Sequence, residues 1–165
     1  MAHELSPHDQ RSLLHVSDTH FGTEQAPVLA ALLAWVRMHR PSGVVITGDI
    51  TQRATAAQFA AARAFVDKLA ALDVPLLGCL PGNHDIPLFN LWQRATAPYQ
   101  RFAQAFGAAV VGPDGMSCHS DAGLLLISLN TTRRWRHERG EISAAQALAV
   151  AERLRAATPQ QLRVV

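Results

Sequence analysis

The chain has 165 residues, 48% of them hydrophobic and 17% charged, which is enough apolar material for a packed core and excludes a disordered or low-complexity protein. Its formal net charge of +2 is too slight to indicate nucleic acid as a partner. No stretch approaches the ~20 apolar residues that a membrane-spanning helix requires, and the polar opening Met1–Gln10 lacks the apolar segment of a signal peptide. A cytoplasmic protein is therefore expected.

In chain order, Ser12–Ser17 is a short apolar run that stops at Asp18 and predicts a strand. Pro27–His39 places Val28, Leu32, Trp35 and Val36 at helical spacing, with Pro27 suited to the first turn. Gly43–Thr47 is rich in β-branched residues and predicts a second strand ending at Gly48-Asp49. Thr55 with Gln58 reads as a capping box, opening a helix whose apolar face is Phe59, Ala62, Phe65, Val66, Leu69 and Leu72. Val74–Leu80 predicts a third strand. Strands bounded in this way and alternating with helices imply a parallel sheet covered on both faces.

Leu88–Phe106 predicts a helical stretch interrupted at Pro98. Ala108–Val111 and Met116–His119 read as short strands joined through the turn residues Gly112-Pro113-Asp114-Gly115. Gly123–Leu129 predicts a buried strand, and Ser143 with Gln146 caps a last helix to about Ala156. Gln161–Val165 reads as one more strand, which either docks on a sheet edge or opens a part of the fold beyond the chain. Cys79 and Cys118 form neither a C-x-x-C pair nor a zinc-like spacing, so two reduced, mostly buried thiols are expected.

Three polar clusters follow the first three strands: Asp18-Thr19-His20, Gly48-Asp49 and Gly82-Asn83-His84-Asp85. Ligands of open α/β sheets bind outside the carboxyl ends of the parallel strands. Neighbouring strands lie ~4.8 Å apart, so three adjacent ends bring these groups within about 10 Å of one another. Asp18 and His20, two residues apart, can grip one ion, and Asp49 is placed to bridge two. Asn83 offers a neutral amide oxygen acceptable to Mn, Fe or Zn. His84 is then placed to donate a proton to a leaving oxygen, with Asp85 holding its ring in the right tautomer. Taken singly each cluster is an ordinary turn; the joint, ordered occurrence of all three gives the pattern its specificity.

The motifs SDTHFG at 17–22, GDIT at 48–51 and GNHD at 82–85 resemble the opening motifs of the calcineurin-like metallophosphoesterases. The wording around 13–22 and 74–85 is most similar to the branch that contains class III cyclic-nucleotide phosphodiesterases. The resemblance covers nearly the whole chain. It implies an α/β fold of the metallophosphoesterase type, a β-sandwich flanked by helices with a dinuclear centre of Mn, Fe or Zn. In it Asp18 and His20 would bind the first metal, Asp49 would bridge, Asn83 would bind the second and His84 would assist the leaving group. The implied substrate is a phosphoester small molecule, with cyclic nucleotides among the candidates.

Two further family motifs, a histidine-bearing segment after the next strand and a G-H-x-H, have no counterpart; His119 and His137 stand in neither setting. The expectation is one domain, 1–165, truncated on its C-terminal side. The alternative function is an impaired relative that serves as a binding or assembly module, or that needs a second chain to complete its site, with exposed sheet edges favouring oligomerisation. A P-loop or dinucleotide-binding fold is excluded, because neither glycine signature follows the first strand.

Weaker features remain. Arg133, Arg134, Arg136 and Arg139, with Trp135 and His137, form a basic loop: either a phosphate-binding lid with Trp135 stacking on a base, or a plain solvated loop. His15 reads as a satisfied core histidine, while His3, His8 and His39 read as surface residues. Trp92 and Tyr99 are expected to pack on the sheet. Asn130, ending a strand, is a weak candidate for reaching the site.

Overall fold

The computed structural model describes residues 11–136 and 138–165; the readings made for Met1–Gln10, His3, His8 and His137 lie outside them. The elements are β1 (Leu13–Ser17), α1 (Ala26–His39), β2 (Gly43–Thr47), α2 (Ala56–Ala70), β3 (Leu76–Cys79), α3 (Leu91–Thr96), α4 (Gln100–Phe106), β4 (Met116–Ser120), β5 (Leu124–Leu129), α5 (Ala144–Ala156) and β6 (Leu162–Val164). They form two three-stranded sheets. In the first, β1, β2 and β3 are neighbours in that order and all parallel. In the second, β5 pairs antiparallel with β4 and parallel with β6.

The β-branched residues of β2 explain its central place: Val44, Val45 and Ile46 are all buried, with β1 and β3 on either side. The capping box at Thr55 and Gln58 forms as expected, and α2 buries Phe59, Ala62, Phe65, Val66 and Leu69 against this sheet's core. Fully burying such side chains contributes roughly 1.5–3 kcal/mol each. The sheets meet face to face at Gly78, where a Cβ would lie 2.6 Å from Ser128 Oγ and 3.2 Å from Leu126 Cδ2. Any side chain there would push the second sheet off the first.

Several expectations are corrected. Ala109–Val111 is a 3-10 turn rather than a strand, closed by Val111 N donating to Ala108 O and anchored by buried Val110. The antiparallel partner of β4 is therefore β5. In α1, Val36 is buried and Leu29, Leu32 and Leu33 are half-buried against the core, while Val28 and Trp35 are exposed: of two overlapping stripes at helical spacing, the sheet packs against the one at i, i+3, i+4, i+7. Trp35 stacks instead on His39, ring centroids 4.2 Å apart. Trp92 is exposed on short α3, and Cys118 is exposed on β4. His15 is exposed on edge strand β1, where its Nε2 meets Thr47 Oγ1 at 2.8 Å. Cys79 is buried as expected, and burial, with the Asp85 carboxylate nearby, pushes its thiol far above the usual range, which makes it inert. No helix among the described residues is long and apolar enough to cross a membrane.

Candidate metal centre

The parallel ladder continues past the ends of β1 and β2 as single backbone bonds. Asp18 N donates to Thr47 O at 3.1 Å, His20 N to Asp49 O at 2.9 Å and Phe21 N to Ile50 O at 2.8 Å. Phe21, Ile50 and Thr51 are buried and anchor these loops to the core. Asp18 and His20 are both left-handed, at φ 52° and 43°, a conformation that costs roughly 1–3 kcal/mol for a non-glycine residue and concentrates at functional sites. Gly48, at φ 78°, lets the second loop pass: a Cβ there would stand 2.8 Å from Asp18 Oδ1.

This framework brings His20, Asp49 and His84 together, with one donor atom from each inside 4.8 Å. The Nε2 of either ring is 4.0 Å from Asp49 Oδ2, beyond hydrogen-bond reach, and the rings meet edge-on with centroids 5.2 Å apart. His84 Nδ1 lies 2.9 Å from Gln52 O. A carbonyl only accepts, so Nδ1 donates to it and Nε2 is left facing Asp49. The His84 amide also donates to Asp49 Oδ1 at 2.9 Å. His20 Nδ1 is buried without a hydrogen-bond partner among the described residues, the mark of a polar atom whose ligand is still to come. Two imidazoles, one carboxylate and an orphaned ring nitrogen fit a divalent transition metal.

The other expected residues sit around this cluster. Asp18 lies outside the three-donor group; with Asp49 and Asn83 it lines a cleft of about 320 Å³ beside it. Asp85 is corrected in role. Its carboxylate is turned to the backbone, accepting from Ile50 N (3.0 Å), Thr51 N (2.8 Å), Thr51 Oγ1 (2.7 Å) and Gly82 N (2.9 Å). Gln52 O takes the place foreseen for it behind the His84 ring. Burial pushes the Asp85 carboxyl up to about 6, against the four donors that pull it down. No sequence signal points to Gln52, since any residue supplies a carbonyl.

Gly82 has no room for a side chain: a Cβ would fall 2.0 Å from Asp49 Oδ1 and 2.5 Å from Asp49 N. Gly82→Ala is expected to displace Asp49 and weaken metal binding by about 10–100-fold, the usual cost of disturbing a ligand's support. Titration of the apo protein with Mn²⁺ would read this; unchanged affinity would refute it.

The basic loop forms the opposite wall. Arg133, Arg136 and Arg139 line the same cleft, together with Glu138. The loop is closed by Glu141 N donating to Thr131 O at 2.9 Å, by Arg133 donating to Glu141 O and by an Arg136–Glu141 ion pair of 2.7 Å. Trp135 is exposed, with the Arg134 guanidinium 5.6 Å from its ring centre. Asn130 is buried, and its Oδ1 accepts from Thr132 N and Thr132 Oγ1.

The α/β fold thus gathers, at the carboxyl ends of a parallel sheet, side chains of the kinds that ligate a divalent cation. Residues 11–143 match the model of the calcineurin-like phosphoesterases, and the chain belongs to that family. Metal-dependent hydrolysis of phosphoesters is the chemistry this membership carries. No curated protein matches the chain.

Proposed function

We propose that the protein is a phosphodiesterase with a dinuclear centre, of the class III cyclic-nucleotide phosphodiesterase type. The observation that carries the reading is the convergence of His20, Asp49 and His84 within 4.8 Å, at the rim of a cleft walled by arginines. In this reading Asp18 and His20 would hold the first ion, Asp49 would be shared between the two and Asn83 would hold the second. When bound, the ions supply Lewis acidity toward phosphate oxygens and water. His84 then serves the leaving oxygen as a proton donor, its ring kept in place by Gln52 O. Arg136 and Arg139 offset charge on the substrate from across the cleft. The free thiols of Cys79 and Cys118 suit a cytoplasmic setting.

The dinuclear assignment is tested by metal content after dialysis against Mn²⁺. Two ions per chain are expected, falling to one in Asn83→Ala. A single ion in both proteins would sink it.

A further inference from the structure

The basic loop is shared between the metal cleft and a second space. Thr132 and Arg133 line both it and a larger groove of about 980 Å³, bounded by the turn between α3 and α4, the turn before β4 and the start of α5. The partition between the two spaces is fixed. Tyr99 Oη lies 2.6 Å from Thr132 Oγ1, Arg133 Nη1 donates to Thr132 O at 2.9 Å, and Arg134 Nη1 donates to Ala95 O at 2.7 Å. Arg134 and Arg153 line the groove as well, beyond Arg133, while Asp114 is its one acidic lining residue.

We propose that this groove is the second half of the substrate site, and that the substrate is a phosphodiester whose larger substituent carries another phosphate group. The inference rests on the phosphodiesterase reading and extends it. A cleft of about 320 Å³ sits at the bottom of the ~300–1,000 Å³ range of ligand sites and suits a phosphate with a small group attached. The adjoining 980 Å³ reaches the top of that range and takes a nucleotide-sized substituent. The substituent crosses above Thr132 and Arg133, leaving the reacting phosphate beside Asp49. Guanidinium groups bind phosphate through two parallel bonds, and Arg134 and Arg153 are the groups that the far end of such a substituent meets.

The test compares two p-nitrophenyl diesters of a nucleoside monophosphate, one with a further phosphate on the ribose and one without. The phosphate-bearing diester is expected to have about tenfold higher kcat/KM, the worth of one charge-assisted contact, and the ratio should fall near unity in Arg134→Gln/Arg153→Gln. Arg153→Gln alone, an exposed change on α5, serves if the double variant does not fold. A parallel calorimetric titration of the metal-free protein should find a nucleoside bisphosphate bound about tenfold more tightly than the monophosphate, with the difference lost in the variants. Equal ratios for the wild-type protein, or a ratio that survives in the variants, would overturn the groove assignment. Absence of hydrolysis of every diester, with the binding difference intact, would overturn the phosphodiesterase reading instead.

Discussion

Asp49→Ala is expected to reduce Mn²⁺-dependent hydrolysis of bis(p-nitrophenyl) phosphate by about a thousandfold or more, the scale on which removing a principal electrostatic group acts. Asp49 is the centre of the cluster: its Oδ2 is 4.0 Å from both imidazole nitrogens, and its Oδ1 receives the His84 amide at 2.9 Å. Alanine would therefore remove the central carboxylate and release the turn that carries His84 in one step. Circular dichroism should remain that of the wild-type protein, because the Asp49 side chain lies in the cleft wall rather than the apolar core. Chelation with EDTA should silence the wild-type protein to the same degree, and added Mn²⁺ should restore only the wild type. Activity within about tenfold of wild type, equivalent to ~1.4 kcal/mol in the barrier, would remove Asp49 from the site.

Asp85→Ala is expected to act on stability rather than on chemistry, lowering the unfolding free energy by about 3–5 kcal/mol. Four donors converge on this one carboxylate, and each buried donor left unpaired costs roughly 1–3 kcal/mol before relaxation. Asp85→Asn keeps one acceptor oxygen but turns an NH₂ toward N–H groups, so an intermediate loss of about 1–2 kcal/mol is expected. Urea unfolding followed by far-UV dichroism reads both values. A loss below about 1 kcal/mol for alanine, the range of an ordinary surface change, would mean that solvent satisfies these donors and that Asp85 does not hold the loops together.

Local rules made much of the fold readable. Thr55 with Gln58 and Ser143 with Gln146 each close a capping box, because those side chains need only their own first turn. Gly43–Thr47 is legible because β-branched residues without polar interruption suit a strand covered on both faces. The clusters at Asp18, Asp49 and Asn83 are legible as neighbours because parallel topology places successive strand ends side by side. What failed depended on choices between close alternatives or on distant partners. Helix α1 contains two overlapping apolar stripes, and only packing against the sheet selects Leu29, Leu32, Leu33 and Val36 over the stripe through Val28 and Trp35. Ala108–Val111 is apolar enough for a strand but too short to pair once β4 has turned to β5. Asp85 next to His84 suggests a local pairing; three of its four donors are backbone amides, two of them 34 and 35 residues away, and backbone groups leave no trace in residue type.

The Asp85 clamp fixes Ile50, Thr51 and Gly82 through bonds that include no cation. Small zinc-nucleated domains melt when their ion leaves, whereas these loops are tied together by peptide groups and one hydroxyl. The loops are therefore expected to hold their shape when a cation is removed, so that chelation should leave the far-UV dichroism unchanged.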